Sequence, residues 1–540
     1  MNKKRNFIVQ ASILGIAGII VRIIGLLYRV PLTQIIGNEG MGYYGQAFNI
    51  YTIILLISSY SIPLAISKVI SAKLALKEYR NSHRAFLCAL VYVSIVGAIA
   101  SLFLFFCAPF LVDAPAVNVL RVFAPTVFFY GILGVLRGYF QAHGSMIQTS
   151  ISQIIEQLLN AVVSIGAAYL FIRMCINAGN NAQVPTYGAA GSALGTGAGV
   201  VIGLAFMLLV YWLNHAFLVK RINRDTHEEV NSYKNIFKTL LYMVTPVIFS
   251  TFVYNCCATV DMKFYYTIAY HVKGLTTEFV NGQYGIYSNQ FLVLTTIPIA
   301  LASSFSSAII PEVSSSYVTD NLEKTKSSID SAIRFTMFLC IPSAVGMTVL
   351  SYPIVALLFP QQDSVALASS LLKFGGPSIL FYSLSTVSNS ILQGIGKVNI
   401  PVRNALIALV GHLFVLIPVL YFTDLDLYAL LIGTTSYSLL MCILNAISVT
   451  KYTGFKQDIK NSFVFPGIAA IIMGAVVYIV YYAIYIVVSI NAVALLISIP
   501  LGAVVYFVAL IKIGGVTETE LKKFPKGTLL IRVAKKIHLL

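Results

Sequence analysis

The sequence is poor in charged residues, and especially in acidic ones. Only 10% of its 540 residues are Asp, Glu, Lys or Arg, with 19 acidic against 36 basic side chains. A soluble domain of this length needs far more charge to cover its surface. The net charge of +17 is compatible with nucleic acid as a partner, but the cations flank apolar segments and form no patch. We therefore expect contact with membrane phospholipids and no nucleic acid.

Disulfide, metal and catalytic patterns are also missing. The seven cysteines are scattered without ligand spacing, which argues against disulfides and against a metal site. The sequence has no phosphate-binding loop and no Ser/His/Asp arrangement that its spacing would support. It thus predicts that the protein is not an enzyme and binds no cofactor.

Long apolar segments dominate what is present. The chain is 58% hydrophobic, with a mean hydropathy of +0.85, and about 20 apolar residues suffice for a helix to span a membrane. The predicted fold class is an all-α polytopic membrane protein with about 14 transmembrane helices. Their predicted ranges are 7–36, 43–69, 85–112, 119–141, 147–173, 187–219, 236–262, 284–310, 329–359, 365–393, 398–422, 427–450, 463–489 and 492–513.

Basic residues occupy alternate gaps between these segments. They begin with Lys3, Lys4 and Arg5, while the intervening gaps hold mainly acidic or uncharged groups such as Asp113. This positive-inside bias predicts a membrane protein with both termini cytoplasmic. The first run is too long for a signal peptide and has no small-residue cleavage site, so it is interpreted as a retained helix.

The two halves of the chain repeat each other. Tyr44-Gly45-Gln46 resembles Tyr284-Gly285, the segment from Pro125 resembles that from Pro377, and Gln141 to Gly144 resembles Gln393 to Gly396. Six helices separate the copies, so both enter the membrane in the same sense and are expected to be related by a pseudo-two-fold axis along the membrane normal. The predicted organisation is an N-terminal lobe (1–219), a linker (220–235), a C-terminal lobe (236–450), two extra helices (451–514) and a basic tail (515–540), the tail lying on the cytoplasmic leaflet.

Pro63 and Pro298 interrupt corresponding helices, the second and the eighth, each beside serines. A proline frees a backbone carbonyl, which lipid does not tolerate unless hydroxyls, water or other helices satisfy it. The two helices are therefore expected to be kinked and to line a cavity between the lobes. An ordinary kink packed in protein is the alternative.

Arg22 and Arg29 lie two turns apart on one face of the first helix. An arginine at the bilayer centre costs roughly 2.5–3.5 kcal/mol, so the pair predicts a water-filled cavity or a nearby anion. Arg29 is also close enough to the helix end to reach the interface. Glu156 and Asp261 are each predicted either to form an ion pair or to receive a coupling cation, and Asp261 is placed near the interface.

Leu136 to Gln141, followed by Ser152-Gln153 and Glu156-Gln157, resembles a family signature. The family is the polysaccharide-transporter branch of the multidrug/oligosaccharidyl-lipid/polysaccharide exporter superfamily, and the most similar group is that of stage V sporulation protein B-like proteins and lipid II flippases. The resemblance extends over essentially the whole chain. The motif residues that carry it are Arg137, Gly138, Gln141, Gln153 and Gln157.

The resemblance implies a flippase. Its expected cargo is an undecaprenyl-diphosphate-linked saccharide, foremost lipid II, the peptidoglycan precursor, moved from the inner to the outer leaflet by alternating access. Cell-wall synthesis enzymes are possible partners. Similar flippases carry cavity arginines on the first, second and eighth helices, but here only Arg22 matches. The second and eighth helices carry amides instead, and these are predicted to solvate the sugar; they are Gln46, Asn49, Asn289 and Gln290.

Two alternatives remain open. A drug or cation antiporter from the same superfamily would be expected to have acidic groups deep in a lobe, where Glu156 is the candidate. A lipid scramblase or a scaffold for cell-wall synthesis is a different class, and a scaffold would need neither buried cations nor matched proline kinks.

Overall fold

The computed structural model describes residues 2–60, 62–223, 225 and 232–516. These residues form helices joined by turns, and no β-strand occurs among them. A backbone in hydrocarbon must satisfy its own hydrogen bonds, which a helix does within one segment. The helices are α1 (Asn2–Leu55), α2 (Ile62–Ala75), α3 (Tyr79–Leu111), α4 (Ala114–Ala142), α5 (Ile147–Asn177), α6 (Val184–Asn223), α7 (Tyr233–His271), α8 (Thr277–Ile286), α9 (Leu292–Val318), α10 (Leu322–Val349), α11 (Ser351–Leu358), α12 (Gln362–Phe374), α13 (Gly376–Gly394), α14 (Asn399–Phe422), α15 (Leu427–Thr453), α16 (Phe465–Val488) and α17 (Asn491–Lys512).

Eleven stretches of helix in the described part are long and apolar enough to cross a membrane, or twelve if one bent pair is a single span. The chain is thus a multi-pass membrane protein. The predicted seventh span, 236–262, lies inside α7, which is not among these stretches. The total of fourteen spans stays a prediction.

The predicted boundary between the first and second spans falls at a break in the backbone of α1. α1 runs from Asn2 to Leu55, and its backbone breaks at Gly37 with a φ of 79°. Glycine adopts this conformation without the cost that a Cβ imposes. A π-helical turn, Leu56–Tyr60, follows, and Pro63 stands in the first turn of α2.

The predicted span 365–393 is instead a broken pair. α12 and α13 are bent by 52° relative to each other, and Pro377 lies in the first turn of α13. A proline at this position needs no amide partner and suits a helix start, so it favours a new helix here.

The turn from α4 to α5 corresponds to the turn from α13 to α14. Helix α4 ends at Ala142 and α5 begins at Ile147; likewise, α13 ends at Gly394 and α14 begins at Asn399. In both turns a glycine has a positive φ, 79° at Gly144 and 80° at Gly396. The local repeat that the sequence indicates therefore extends to the backbone.

The described residues form two compact units, one ending at Asn289 and one beginning at Gln290. In the first unit, glycines of α6 pack against the backbone of α5: a Cβ on Gly191 would lie 2.6 Å from the Ala167 carbonyl oxygen. In the second unit, α16 and α17 share a buried apolar core with α10, which includes Tyr506 and Met473.

The predicted lobe boundaries stay predictions. Part of the predicted linker, at 224 and 226–231, and most of the basic tail, at 517–540, lie outside the described residues.

Candidate functional site

Arg22 and Arg29 project from the part of α1 before the Gly37 break. They are seven positions apart, so they lie on one face of the helix. Arg22 is exposed on its unit and Arg29 is half-buried. Nη1 of Arg29 donates a hydrogen bond to Oδ1 of Asn289 at 3.4 Å, and its guanidinium carbon lies 5.9 Å from the centre of the Phe48 ring.

Helix α5 borders the same stripe. Gly25 lies between the two arginines, and a Cβ there would lie 3.3 Å from Nε2 of Gln157. The glycine thus lets the polar side chain of α5 approach α1 between its two cations. Gln157 and the other motif glutamines, Gln141 and Gln153, are half-buried.

Asn289 has a defined amide orientation. Its side chain is 2% exposed, and Nδ2 donates to the Met41 carbonyl at 2.8 Å and to Oγ of Ser288 at 2.9 Å. Both bonds need the amide nitrogen as donor, so Oδ1 must face Arg29. The guanidinium therefore meets a neutral acceptor here.

The predicted amides of the second helix also bond to protein groups. Gln46 is buried and accepts a bond from the Asp113 amide at 3.3 Å. Asn49 donates to the Tyr284 hydroxyl at 3.1 Å and accepts from Oγ1 of Thr259 at 3.0 Å. Both amides thus bond to other groups of the protein, Gln46 from a buried position and Asn49 from a half-buried one.

Gln290 belongs to the second unit. It is fully buried, and Nε2 donates to Oγ of Ser364 at 3.3 Å. Pro298, in α9, is buried too, and its carbonyl lies 3.9 Å from Sγ of Cys340. A π-helical turn, Tyr287–Phe291, precedes α9, and such turns are frequent at functional sites.

Helices α1 and α8 approach each other through small residues. A Cβ on Gly42 would overlap the Asn281 carbonyl, and one on Gly285 would overlap the carbonyl of Asn38. A Cβ on Gly45 would lie 2.5 Å from Oγ of Ser288. The matched segments of the repeat, Tyr44-Gly45 and Tyr284-Gly285, therefore lie in the two helices that form this close contact.

A polar cluster ties the turn between α3 and α4 to α7 and α8. Oδ2 of Asp113 accepts from the Tyr270 hydroxyl at 2.5 Å and from Nδ2 of Asn281 at 3.5 Å. Asn281 also accepts from the Tyr266 hydroxyl at 2.8 Å. Sequence reasoning missed this cluster. The one available signal was an acidic residue, Asp113, in a short gap, and nothing in the sequence indicated its partners.

The family motif forms a buried ion pair. Arg137 is 5% exposed; Nη2 donates to Oε2 of Glu156 at 2.6 Å and Nε donates to Oγ of Ser152 at 2.8 Å. The next motif residue, Gly138, lets the backbone of Pro63 approach α4 closely, because a Cβ there would lie 2.6 Å from the Pro63 carbonyl oxygen. The arrangement clamps α4 to α5 and to the start of α2.

At the corresponding positions of the second unit, the ion pair is replaced by a network of neutral amides. Asn389 and Asn404 correspond to Arg137 and Ser152, since the α13–α14 turn matches the α4–α5 turn. Asn445 bridges them: its Nδ2 donates to Asn389 Oδ1 at 2.8 Å, and its Oδ1 accepts from Asn404 Nδ2 at 2.9 Å. Both units thus use buried polar groups to hold the same pair of helix ends.

Asp261, predicted near the interface, is 5% exposed. Its Oδ2 lies 3.7 Å from the thiol sulfur of Cys257, one turn earlier on α7. The carboxyl group is therefore inside the unit.

Comparison with known proteins identifies related sequences and folds. A family model described as "Polysaccharide biosynthesis protein" matches residues 8–317, more than half of the chain, and one described as MatE matches residues 287–418. The chain is 24% identical to "Lipid II flippase MurJ" of Bacillus subtilis (strain 168) over 465 residues, which cover 83% of each protein. It is also 24% identical to "Stage V sporulation protein B" of the same organism over 542 residues, which cover 98% of this chain and 100% of that one.

Two solved structures share the fold. A structure described as lipid II flippase MurJ in an inward closed conformation has a TM-score of 0.66 at 15% identity, covering 92% of this chain and 97% of that one. An inward-facing multidrug resistance MATE family transporter of the MOP superfamily has a TM-score of 0.62 at 16% identity, covering 80% and 96%. At these identities the likeness establishes the fold alone.

Proposed function

The chain belongs to the polysaccharide biosynthesis protein family, and on that premise we propose that it moves a lipid-linked saccharide from the inner to the outer leaflet of the bacterial plasma membrane. The proposed cargo is an undecaprenyl-diphosphate-linked saccharide, with lipid II as the first candidate. The similarity to a lipid II flippase over 83% of each chain supports this choice. In this proposal both termini are cytoplasmic, and cell-wall synthesis enzymes are partners that supply or use the cargo.

The observation that carries the proposal is the stripe of Arg22 and Arg29 on α1. Arg29 bonds to a neutral amide, Asn289, so that contact leaves its positive charge uncompensated. Guanidinium groups bind phosphate oxygens with charge-assisted, bidentate hydrogen bonds. We assign the two arginines to the diphosphate of the cargo, while the prenyl chain stays in lipid.

The membrane potential supplies a driving force for this direction. A cytoplasm-negative potential favours outward movement of negative charge by about 2.3 kcal/mol per charge per 100 mV. A diphosphate that crosses with about two charges would gain twice that amount. Export in this scheme needs no nucleotide.

The four predicted amides keep their proposed role of solvating the saccharide. In the structure they bond to protein groups, so the proposal requires those bonds to exchange when substrate enters. Glu156, paired with Arg137, is assigned to holding the helices. Asp261 is the candidate coupling group.

The test is leaflet transfer in proteoliposomes that contain defined lipid-linked saccharides, with and without an imposed potential. Arg22→Ala and Arg29→Ala should each lower transport about ten- to hundred-fold, because a hydrogen bond to a charged group contributes about 1.5–3 kcal/mol. Arg121→Ala is the matched control, since this arginine lies on α4 and bonds to the Phe105 carbonyl. Normal transport by both α1 variants would refute the assignment.

A drug or cation antiporter is the second candidate, favoured by the MatE match at residues 287–418. The same vesicles distinguish it: an antiporter would take up a cationic dye against an ion gradient, and Asp261→Asn would abolish that uptake. The flippase proposal predicts no dye uptake and a dependence on the α1 arginines.

A further inference from the structure

Two lysines of the second unit point at one tyrosine. Nζ of Lys397 lies 5.0 Å from the centre of the Tyr452 ring, and Nζ of Lys451 lies 5.9 Å from it. Both positions are at helix ends: Lys397 precedes α14, and Lys451 is in the last turn of α15. Two like charges that share one ring repel each other, so the arrangement favours a bound anion.

Arg403 adds a third cation at the same end. It is exposed, and Nη2 donates to Oδ1 of Asn404 at 3.4 Å. Asn404 is 1% exposed and also donates to Oγ of Ser448 at 3.1 Å, one turn before Tyr452 on α15. The buried amide network thus binds one nitrogen of the Arg403 guanidinium through Asn404. The remaining N–H groups of this guanidinium can face outward.

Carboxylates of the described residues do not neutralise this group, because none of them forms an ion pair with Lys397, Arg403 or Lys451. Asp458, a few residues after Tyr452, is engaged elsewhere. It accepts from the backbone and side-chain nitrogens of Asn461 at 3.0 and 2.5 Å, and these bonds lower the pKa of its carboxyl group.

The corresponding turn of the first unit lacks these cations. With the α4–α5 turn matched to the α13–α14 turn, Ser145 stands in place of Lys397 and Ile151 in place of Arg403. A topology signal needs only positive charge somewhere in the gap. It does not require lysines from two separate segments to converge on one aromatic ring.

We propose that Lys397, Arg403 and Lys451 form, around Tyr452, a site for the phosphate group of an anionic phospholipid. The helix ends that carry the site are the ends that the charge pattern places at the cytoplasmic leaflet. Lysine offers a point charge and arginine a planar donor pair for phosphate, and a half-buried tyrosine suits the interface, where one end is apolar and the other is wet. The site belongs to the second unit, whereas the arginines of α1 belong to the first, and it does not depend on the proposed cargo.

The test is lipid retention by the full chain, measured by native mass spectrometry after release from nanodiscs of defined composition. The wild-type protein should retain phosphatidylglycerol in preference to phosphatidylethanolamine. In the variant Lys397→Gln/Arg403→Gln/Lys451→Gln, this preference should fall about 100-fold, since each basic residue near an anionic surface contributes about five-fold in affinity. Lys397→Arg/Lys451→Arg should preserve it.

Lys324→Gln/Lys326→Gln is the matched control, because these lysines pair with Glu312 and Glu323 at 3.6 and 3.0 Å. The control should retain phosphatidylglycerol like the wild type, and helical content by circular dichroism should be unchanged in every variant used.

Equal retention of the two phospholipids by the wild type, or unchanged preference in the triple variant, would overturn the proposal. Preferential retention of an undecaprenyl diphosphate over phosphatidylglycerol through the same three residues would also overturn it, since the site would then belong to a lipid-linked diphosphate. Displacement of bound lipid by millimolar inorganic phosphate would support a site that recognises the phosphate group.

Discussion

The amide oxygen of Asn289 faces the guanidinium of Arg29 because both donors of its amide nitrogen are taken by Met41 and Ser288. Asn289, in the turn after α8, thereby presents a neutral acceptor to Arg29 of α1. A neutral acceptor orients the cation and leaves its charge available to an anion, whereas a carboxylate would neutralise it.

This relationship predicts that Asn289→Asp impairs transport more than Asn289→Ala. The aspartate would pair with Arg29 and compete with the diphosphate, with an expected loss of about ten-fold in apparent affinity for the cargo. The alanine variant loses the bonds to Met41 and Ser288 but leaves the charge of Arg29 free. Substrate titration in proteoliposomes measures the difference, and equal apparent affinities in the two variants would show that Asn289 does not act through Arg29.

The second prediction concerns the Arg137–Glu156 pair. Glu156→Ala should lower the free energy of unfolding by about 3 kcal/mol, because it leaves the guanidinium buried without its counter-charge. Apparent melting temperature in detergent, followed by circular dichroism, measures the effect. Glu323→Ala is the control. Glu323 and Lys326 form an exposed ion pair at 3.0 Å, and such a pair contributes at most about 1 kcal/mol to the free energy of unfolding.

A double variant of Arg137 and Glu156 distinguishes the contribution of their charges to stability from the contribution of their packing. Arg137→Met/Glu156→Leu should recover most of the stability that Glu156→Ala loses, since apolar replacements of a buried ion pair are often neutral. If the double variant is no more stable than the single one, the pair contributes through something other than its charge.

The sequence contained enough information for the helices but not for most of their contacts. Apolar run length placed α3 to α6 and α14 to α17 within a few residues, and the structure adds that the glycines of α6 pack against the backbone of α5. The Gly37 break falls in the predicted gap between the first two spans, but the helical conformation of the rest of that gap, 38–42, was not foreseen, because its polar residues and glycines resemble a loop.

The site was only partly predictable for a similar reason. Glu156 was recognised as a possible partner of a basic group, and the structure supplies Arg137, 19 residues away. The contacts of Asp113 with Tyr270 and Asn281 span more than 150 residues. Helical periodicity reports which face of a helix is polar, but not which distant helix that face meets.

The third prediction tests the close packing of the α6 glycines against the backbone of α5. Gly191→Ala should destabilise the protein by about 1–3 kcal/mol, because the added Cβ would lie 2.6 Å from the Ala167 carbonyl oxygen, and backbone atoms cannot move aside. Gly166→Ala, on the facing helix α5, has no atom within 4 Å of its added Cβ. It should therefore be neutral or gain up to about 1 kcal/mol from helix propensity. Melting temperatures of the two variants measure the expected loss of stability in the first and its absence in the second. A Gly191→Ala variant as stable as the wild type would show that this glycine is not needed for the packing of α6 against α5.

The fourth prediction concerns the contact between α1 and α8, which alternating access would have to open. An ideal Cβ on Gly45 lies 3.3 Å from the Ser288 Cβ, close to the 3.5–4.5 Å that a disulfide needs, about 3.8 Å on average. In a variant whose seven native cysteines are replaced, Gly45→Cys/Ser288→Cys should cross-link on mild oxidation. Transport should then stop and return when a reductant is added. Each single cysteine variant, which cannot form this bond, is the control for the substitutions themselves. Full transport by the cross-linked protein would mean that these two helices stay together throughout the cycle, and the route for the saccharide would have to avoid them.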